Sequence, residues 1–286
     1  MDYKYYLEEV KDLLWSTWET KEIGSNDFKL IKEKLLQLYK QTKDSECLAI
    51  ISELHIHKSN SHKRQSRDFA LEGLKENCND TFLHGNYTIA SNGAWRDFIK
   101  INHNFLIEFY KEFIKNHPEV FIARVILIEN LIDNYRFDEA HEEIDKACKL
   151  SDERVHLLEI YKGEILYKKG KHDEAIELWN QTCKNNPEKY KCYMSVGNQF
   201  ASFARYEEAI EYYKKSFLIQ VAPRKLDALL AIVSVYEILK NYEEALRFTN
   251  LIIKAYETDY NVLDGEELRP YLANKERFEK IIKLEK

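Results

Sequence analysis

A five-residue segment decides the fold of this chain: Arg205-Tyr206-Glu207-Glu208-Ala209. Near-copies lie at 136–140, 171–175 and 241–245, and the four alanines are spaced 35, 34 and 36 residues apart. Each copy contains a polar residue, an aromatic ring, two acidic residues and an alanine. A motif that recurs at a nearly constant period predicts an array of similar structural units.

Each part of the motif has a physical role in a pair of antiparallel helices. The two acidic residues suit the first turn of a helix, where the positive end of the macrodipole favours negative charge. The ring packs the turn between the helices. The alanine lies where the two helices cross, because a larger side chain would push them apart.

Two further positions repeat with the same period. Gly163 and Gly197 each precede their alanine by twelve residues, and Trp179 and Tyr213 each follow theirs by four. We expect each glycine to let the first helix approach its partner helix closely. Pro118, Pro187 and Pro223 lie near the junctions between units and predict helix ends there.

This pattern resembles the tetratricopeptide repeat family, whose repeats span about 34 residues. The resemblance covers 119–256 and implies an all-α, right-handed α-solenoid of helix-turn-helix repeats. Repeats one and four depart from it, since Ile128 and Val233 stand where a small residue is usual. The segment Leu268–Phe278 resembles the tail that closes many such arrays, with a closing helix expected at 266–284.

We therefore divide the chain into an N-terminal α-helical region (1–117), four repeats (118–256) and C-terminal capping helices (257–286). Polar and glycine residues at 78–94 predict a loop, because this is the longest stretch without helical periodicity. The apolar spacing of the rest of the N-terminal region predicts helices at 3–20, 27–41, 44–57, 63–77 and 95–116.

Composition limits the classes of function. The 286 residues carry a net charge of −6, which argues against nucleic acid or an anionic membrane as a partner. No stretch approaches the length of an apolar membrane span, so we expect a cytoplasmic protein. Five cysteines without CxxC spacing indicate reduced thiols.

Catalytic and metal motifs are not evident in the sequence, and we expect no enzyme activity, cofactor or metal. There is no P-loop, GxGxxG or GxSxG motif. An enzyme is the least favoured hypothesis, with a histidine site in the N-terminal region. Its candidate residues are His55, His57, His62 and His84.

The family resemblance implies a concave groove lined by the first helix of each repeat. Aligning the repeats on their alanines places mixed, mostly polar side chains there, which suit a peptide or another protein. The candidate binding residues are Glu129, Asp133, Glu164, Tyr167, Lys168, Lys191, Asn198, Ser202, Asp227 and Glu237.

Some members of the family clamp a C-terminal carboxylate with lysine and asparagine side chains. Lys191 and Asn198 occupy matching positions, but Asp227 and Ala231 depart from that pattern. The leading hypothesis is therefore an adaptor or scaffold that binds a protein or peptide, with homo-oligomers possible. The alternative is a regulator that senses a peptide through the repeats and acts through its N-terminal region.

Overall fold

The computed structural model describes residues 3–17, 25–58, 63–93, 104–150, 152–263 and 265–284. Within these ranges the chain forms fifteen α-helices and no β-strand. This confirms the predicted all-α fold of helical repeats. The helices belong to two compact units, Met1–Asp152 and Glu153–Lys286.

The first unit contains eight described helices, and the first four follow the predicted ones closely. The predicted helix at 95–116 is seen from Asn104, because 95–103 lie outside the described residues, as do 18–20. The helices are α1 (Tyr3–Thr17), α2 (Ser25–Thr42), α3 (Ser45–Lys58), α4 (Lys63–Glu76), α5 (Thr81–Gly93), α6 (Asn104–Asn116), α7 (Phe121–Asp133) and α8 (Phe137–Ala147).

The loop predicted over 78–94 is wrong for most of its length, because α5 occupies it. The helix begins after Asp80, whose Oδ1 accepts hydrogen bonds from the backbone N–H groups of Phe82 and Leu83 at 2.9 and 3.1 Å. Leu83, Tyr87 and Ala90 are buried at helical spacing. Asp80 is therefore an N-cap residue rather than part of a loop.

The polar residues that suggested a loop are buried in α5 with hydrogen-bond partners. His84 contacts the Cys78 carbonyl through Nε2 at 2.9 Å and the Tyr110 hydroxyl through Nδ1 at 3.3 Å. The Asn86 amide donates to the Ala49 carbonyl at 3.2 Å. These bonds offset the cost of burying polar groups, so polarity here does not indicate exposure.

The first repeat, α7 and α8, belongs to the first compact unit, Met1–Asp152. An ion pair between Lys111 on α6 and Glu139 on α8, with an Nζ–Oε2 distance of 2.7 Å, joins the repeat to the helix before it. Val120 and Phe121 at the start of the repeat are buried within this unit.

The second unit contains three helix pairs and a closing helix. A 3-10 turn at Val155–Leu157 leads into the first pair, and another at Glu266–Leu268 precedes the closing helix. Residues 257–260 belong to the last repeat helix rather than to the predicted cap. The helices are α9 (Leu158–Lys168), α10 (His172–Asn185), α11 (Tyr190–Ser202), α12 (Tyr206–Leu218), α13 (Asp227–Ile238), α14 (Tyr242–Tyr260) and α15 (Arg269–Leu284).

The same turn connects the two helices of every repeat. The residue before each motif has a left-handed backbone, with φ near +55° at Tyr135, Ala204 and Lys240 and +82° at Gly170. The next N–H bonds back to a carbonyl five residues earlier, as in Arg205 to Phe200 at 2.9 Å. This is the Schellman arrangement, which satisfies the last carbonyls of the first helix.

The polar residue and the second acid of the motif hold the start of the second helix. Arg136, Lys171 and Arg205 each form an ion pair with the glutamate three residues later. In the fourth copy the Asn241 side chain accepts from the Glu244 N–H at 3.2 Å. The motif is therefore a turn signal as well as a helix start.

Packing at the helix crossings confirms the role predicted for the glycines. A Cβ on Gly163 would lie 2.6 Å from Cδ1 of Trp179, and one on Gly197 would lie 2.6 Å from Cε1 of Tyr213. Both rings are nearly fully buried, and the alanines of all four motifs are completely buried. The helices approach this closely because no side chain separates them.

Repeats one and four fill the same crossing with a different division of volume. Ile128 and Val233 replace the glycine, while Ile144 and Thr249 replace the ring, and all four side chains are buried. A larger residue on the first helix is matched by a smaller one on the second. The two side chains at each of these crossings together fill the space that glycine and a ring fill in repeats two and three.

Candidate functional site

The first helices of the second unit, α9, α11 and α13, carry most of the predicted binding residues. We call this set the first-helix face. Glu129 and Asp133 lie outside it, on α7 of the first unit, where both are exposed. The first-helix face consists of the predicted residues on these helices, Glu164, Tyr167, Lys168, Lys191, Asn198, Ser202, Asp227 and Glu237, together with Met194 of α11 and Ser234 of α13.

On α9, the charged residues of the face, Glu164 and Lys168, interact with neighbouring side chains. The Glu164 carboxylate pairs with Lys168 Nζ at 3.1 Å and accepts from Gln199 Nε2 of α11 at 3.0 Å. The side chains of Glu164 and Lys168 are only 15% and 18% exposed. These residues therefore join α9 to α11 and have little unpaired charge to offer a partner.

Tyr167 is part of an aromatic stack. Its ring lies 4.2 Å from that of His172 and 4.0 Å from that of Phe203, with small interplanar angles. Trp179 continues the stack at 5.7 Å. The half-buried tyrosine thus stabilises the turn between α9 and α10 and the contact with α11.

Asn198 is an exposed residue held by a buried one. Its Oδ1 accepts a hydrogen bond of 2.9 Å from the Tyr213 hydroxyl, which reaches the face across Gly197. Burial raises the pKa of Tyr213 to about 12, so this hydroxyl keeps its proton at neutral pH. The bond orients the Asn198 amide and leaves its NH2 group available to donate to a partner.

Charges of both signs lie at the N-terminal ends of α11 and α13. Lys191 and Asp227 are exposed, and within the described part of the chain Lys191 makes no ion pair. Burial and the Asp227 carboxylate raise the pKa of Tyr190, which places that carboxylate near the start of α11. A negative charge here opposes binding of a terminal carboxylate.

The remaining members of the face are satisfied locally or by the closing helix. The Ser202 hydroxyl donates to the Gln199 carbonyl at 2.8 Å. Glu237 pairs with Arg277 of α15 at 2.5 Å, and the neighbouring Phe278 is fully buried. The closing helix therefore contributes to the end of this face, which the repeat positions alone did not predict.

The histidines considered for catalysis do not form a site in the described residues. His55 is buried and packs against the rings of Phe28 and Phe69. Burial lowers the pKa of His84, whose ring nitrogens contact Cys78 and Tyr110. His62 lies outside the described residues, and nothing is described of the His57 side chain.

Two other surface properties bear on the classes of partner. Each described helix is too short or too polar to cross the hydrocarbon core of a membrane. A shallow depression lies on the outer side of α10, away from the residues of the first-helix face. Its lining comes from one helix and is mostly charged or amide in character: Asp173, Ile176, Glu177, Asn180, Gln181 and Lys184.

Comparisons with known proteins also point to helical repeats. No family model matches the chain. A tetratricopeptide repeat-containing protein of Methanocaldococcus jannaschii, MJ1428, is 30% identical over 122 residues, which are 42% of this chain and 20% of that one. Human Superkiller complex protein 3 is 24% identical over 104 residues, or 36% of this chain and 6% of that protein. The chain thus spans at most one fifth of these relatives.

Among solved structures, a tetratricopeptide repeat protein of Parabacteroides merdae aligns with 94% of this chain and 98% of its own. The identity is 12% and the TM-score 0.49. YrrB, described as a tetratricopeptide repeat protein with an unusual peptide-binding site, aligns with 70% of this chain and 98% of its own, at 16% identity and a TM-score of 0.37.

The similarity to tetratricopeptide repeat proteins rests on the chain's own repeats and on the archaeal relative. The motif occurs four times, the same Schellman turn precedes each copy, and glycine and ring meet at two of the crossings. The relative at 30% identity is itself a repeat protein of this kind. The described helices of the second unit thus form tetratricopeptide-type repeats, and the chain is similar to proteins of the tetratricopeptide repeat family.

Proposed function

We propose that this protein is a binding adaptor rather than an enzyme, and that it holds a polypeptide on the first-helix face of its second unit. The observation that carries the proposal is the exposed Asn198 amide, held in place by the buried Tyr213 hydroxyl. A polar group that is oriented before binding loses little entropy when a partner arrives. Asparagine amides can bond the main chain of a peptide whatever its sequence.

The charges around Asn198 favour a partner segment of mixed charge. Lys191 lies two helical turns from Asn198 on α11, and Asp227 lies at the start of α13. A peptide that passes Asn198 would meet a positive and a negative group toward the N-terminal ends of these helices. We therefore expect an internal peptide segment with both acidic and basic residues, rather than a free C-terminus.

A peptide-display selection on the full-length protein would provide a ligand, and affinity measurements would then test the face. We expect Asn198→Ala to raise the Kd about 5- to 30-fold, which corresponds to about 1–2 kcal/mol. Lys191→Glu should weaken binding of peptides with acidic residues. Circular dichroism and thermal unfolding would confirm that both variants keep the fold.

The chain supplies matched controls on another helix. Asn180 of α10 also accepts a hydrogen bond from a tyrosine hydroxyl, that of Tyr212, and Lys184 is an exposed lysine of the same helix. Asn180→Ala and Lys184→Glu should bind the peptide as tightly as the wild type does. Equal losses in the face and control variants, or no loss in either, would contradict the proposed location.

The peptide-sensing regulator differs from this proposal in its response to the bound peptide. The same peptide, added during small-angle scattering, would change the dimensions of a regulator whose N-terminal unit responds to it. An adaptor would bind with no change in radius of gyration beyond the added mass. We favour the adaptor because the described face carries a binding group and needs no movement to present it.

A further inference from the structure

Two turns of the first unit bring together three side chains that commonly bind metals. Cys78 lies in the turn between α4 and α5, while His117 and Glu119 flank Pro118 between α6 and α7. The candidate ligand atoms of these three residues all lie within 4.8 Å of one another. Cys78 and His117 are half-buried and Glu119 is exposed, so an ion could reach them from solvent.

The backbone of each turn is fixed by a buried residue that is not itself a ligand. His84 contacts the Cys78 carbonyl through Nε2 at 2.9 Å. Arg124, only 8% exposed, donates from Nε and Nη2 to the Pro118 carbonyl at 3.3 and 3.1 Å, and its Nη1 pairs with Glu143. Both turns are thus held through their backbone carbonyls, without use of the three candidate ligand side chains.

Among the described residues, no hydrogen bond or ion pair involves the side chains of Cys78, His117 or Glu119. The His117 imidazole packs against the Phe113 ring, at 4.7 Å between centroids. A ring contact of this kind leaves the imidazole nitrogens able to bind a metal. The arrangement resembles a set of ligands placed by surrounding structure, as metal sites require.

A second junction in the chain shows that this turn does not need a histidine. Lys184–Glu188 repeats Lys115–Glu119 almost residue for residue, with Asn186 in place of His117. The same backbone bond follows both residues: the N–H three positions later donates to the carbonyl at 3.2 Å for His117 and at 3.1 Å for Asn186. The imidazole is therefore free to serve a purpose other than building the turn.

We propose that Cys78, His117 and Glu119 bind one Zn²⁺ ion that joins the α4–α5 turn to the α6–α7 turn. Thiolate, imidazole and carboxylate are all ligands of zinc, and three protein ligands leave a fourth position for water. Tetrahedral coordination places ligand atoms about 3.5 Å apart, so the cluster must contract by about 1 Å. Rotation of the exposed Glu119 side chain provides much of that movement.

Binding would be measured on the full-length protein after chelation under reducing conditions. Calorimetry with Zn²⁺ should give one ion per chain. Titration with Co²⁺ should give the charge-transfer absorption that reports a thiolate ligand. We expect Cys78→Ser to remove that absorption and to weaken zinc binding about 100-fold, and His117→Asn to weaken it at least about 10-fold.

The variants are chosen so that loss of binding cannot be attributed to loss of fold. His117→Asn copies the residue that the chain itself uses at Asn186, and Cys78→Ser is nearly isosteric. Cys148→Ser, which removes an exposed cysteine of the same unit, is the matched control and should bind Zn²⁺ as the wild type does. Zinc should also raise the thermal midpoint of the wild type and the control, but not of Cys78→Ser.

Three results would overturn the proposal. The first is a stoichiometry far below one ion per chain for the wild-type protein. The second is Cys78→Ser retaining the wild-type zinc affinity. The third is loss of the cobalt–thiolate absorption in Cys148→Ser but not in Cys78→Ser, which would place the metal at another cysteine.

Discussion

Replacing Gly163 with alanine would test the helix crossing on which the second repeat depends. The new Cβ would lie 2.6 Å from Cδ1 of Trp179 and closer still to Nε1, whereas carbon atoms in contact are normally about 3.5–4.0 Å apart. The indole has little room to retreat. It is fully buried, and its Nε1–H donates to the Ile160 carbonyl at 3.0 Å.

Three contributions determine the size of the effect. Overpacking costs about 1–3 kcal/mol. Displacement of the indole from the Ile160 carbonyl leaves a buried N–H unpaired, at about 1–3 kcal/mol. Alanine returns about 1 kcal/mol because it favours the helix over glycine. We therefore expect Gly163→Ala to lower the free energy of unfolding by about 3 kcal/mol.

Gly85→Ala is the matched control for the same chemical change. Gly85 also lies inside a helix, α5, but a Cβ there would have no atom within 4 Å. The control should raise stability by up to about 1 kcal/mol. Urea unfolding would give the two free energies, and hydrogen exchange would show whether the loss of protection lies in α9 and α10.

Unfolding of Gly163→Ala at the wild-type urea concentration or above it would show that the crossing tolerates a Cβ. A loss of protection outside α9, α10 and the helices that contact them would also contradict the expected role of the crossing. A stabilised Gly85→Ala alongside a destabilised Gly163→Ala is the expected pair of results. Helix propensity alone would make both changes stabilising, so the opposite signs identify the crossing as the cause.

Other perturbations test the turns, an ion pair and the closing helix. Gly170 and Ala204 both have a left-handed backbone, which glycine adopts more easily than alanine. Gly170→Ala should therefore lower stability by about 1 kcal/mol, and Ala204→Gly should raise it by about 0.5–1 kcal/mol. Urea unfolding midpoints would measure both changes. Hydrogen bonds from Arg224 hold the pKa of Asp259 well below its ordinary value of 3.8. The stability this pair adds is present above that value and lost as the pH falls. Asp259→Asn should thus cost about 1–3 kcal/mol at pH 7 and somewhat less at pH 3, where the unfolded chain has begun to bind the proton. Phe278→Ala should cost about 3–5 kcal/mol and increase hydrogen exchange in α14 and α15.

The repeats could be predicted because their signals are local. The motif combines a helix start, a turn and a crossing residue within five positions, so neighbours in sequence determine the structure. Helix α5 could not be predicted in this way. His84 and Asn86 look like loop residues until their partners are known, and those partners, Tyr110 and Ala49, lie 26 and 37 residues away.

The candidate site was predictable only in part, for a related reason. The repeat period places Lys191 and Asn198 on an exposed face, and the structure agrees. The period does not show that Glu164 accepts a hydrogen bond from Gln199 or that Glu237 pairs with Arg277. Those partners come from the first helix of the following repeat, α11, and from the closing helix, α15. Cys78, which approaches His117, belongs to a separate turn and forms no spaced motif with it. The one sequence signal is a histidine in a junction that elsewhere carries asparagine.

If the protein holds a peptide as proposed, comparison of the repeats predicts that repeat three contributes most to binding. In repeat two, the ring at the crossing is Trp179, whose N–H reaches the backbone carbonyl of Ile160 and no side chain of the face. In repeat four, the hydroxyl of Thr249 bonds within its own helix, and Ser234 does likewise on the first helix. Only in repeat three, among the described repeats of the second unit, does the crossing residue form a hydrogen bond with a side chain of the face. The glycine that permits close packing thus also permits Tyr213 to orient Asn198, so the proposed peptide binding would depend on the same approach of α11 to α12 that stabilises the repeat.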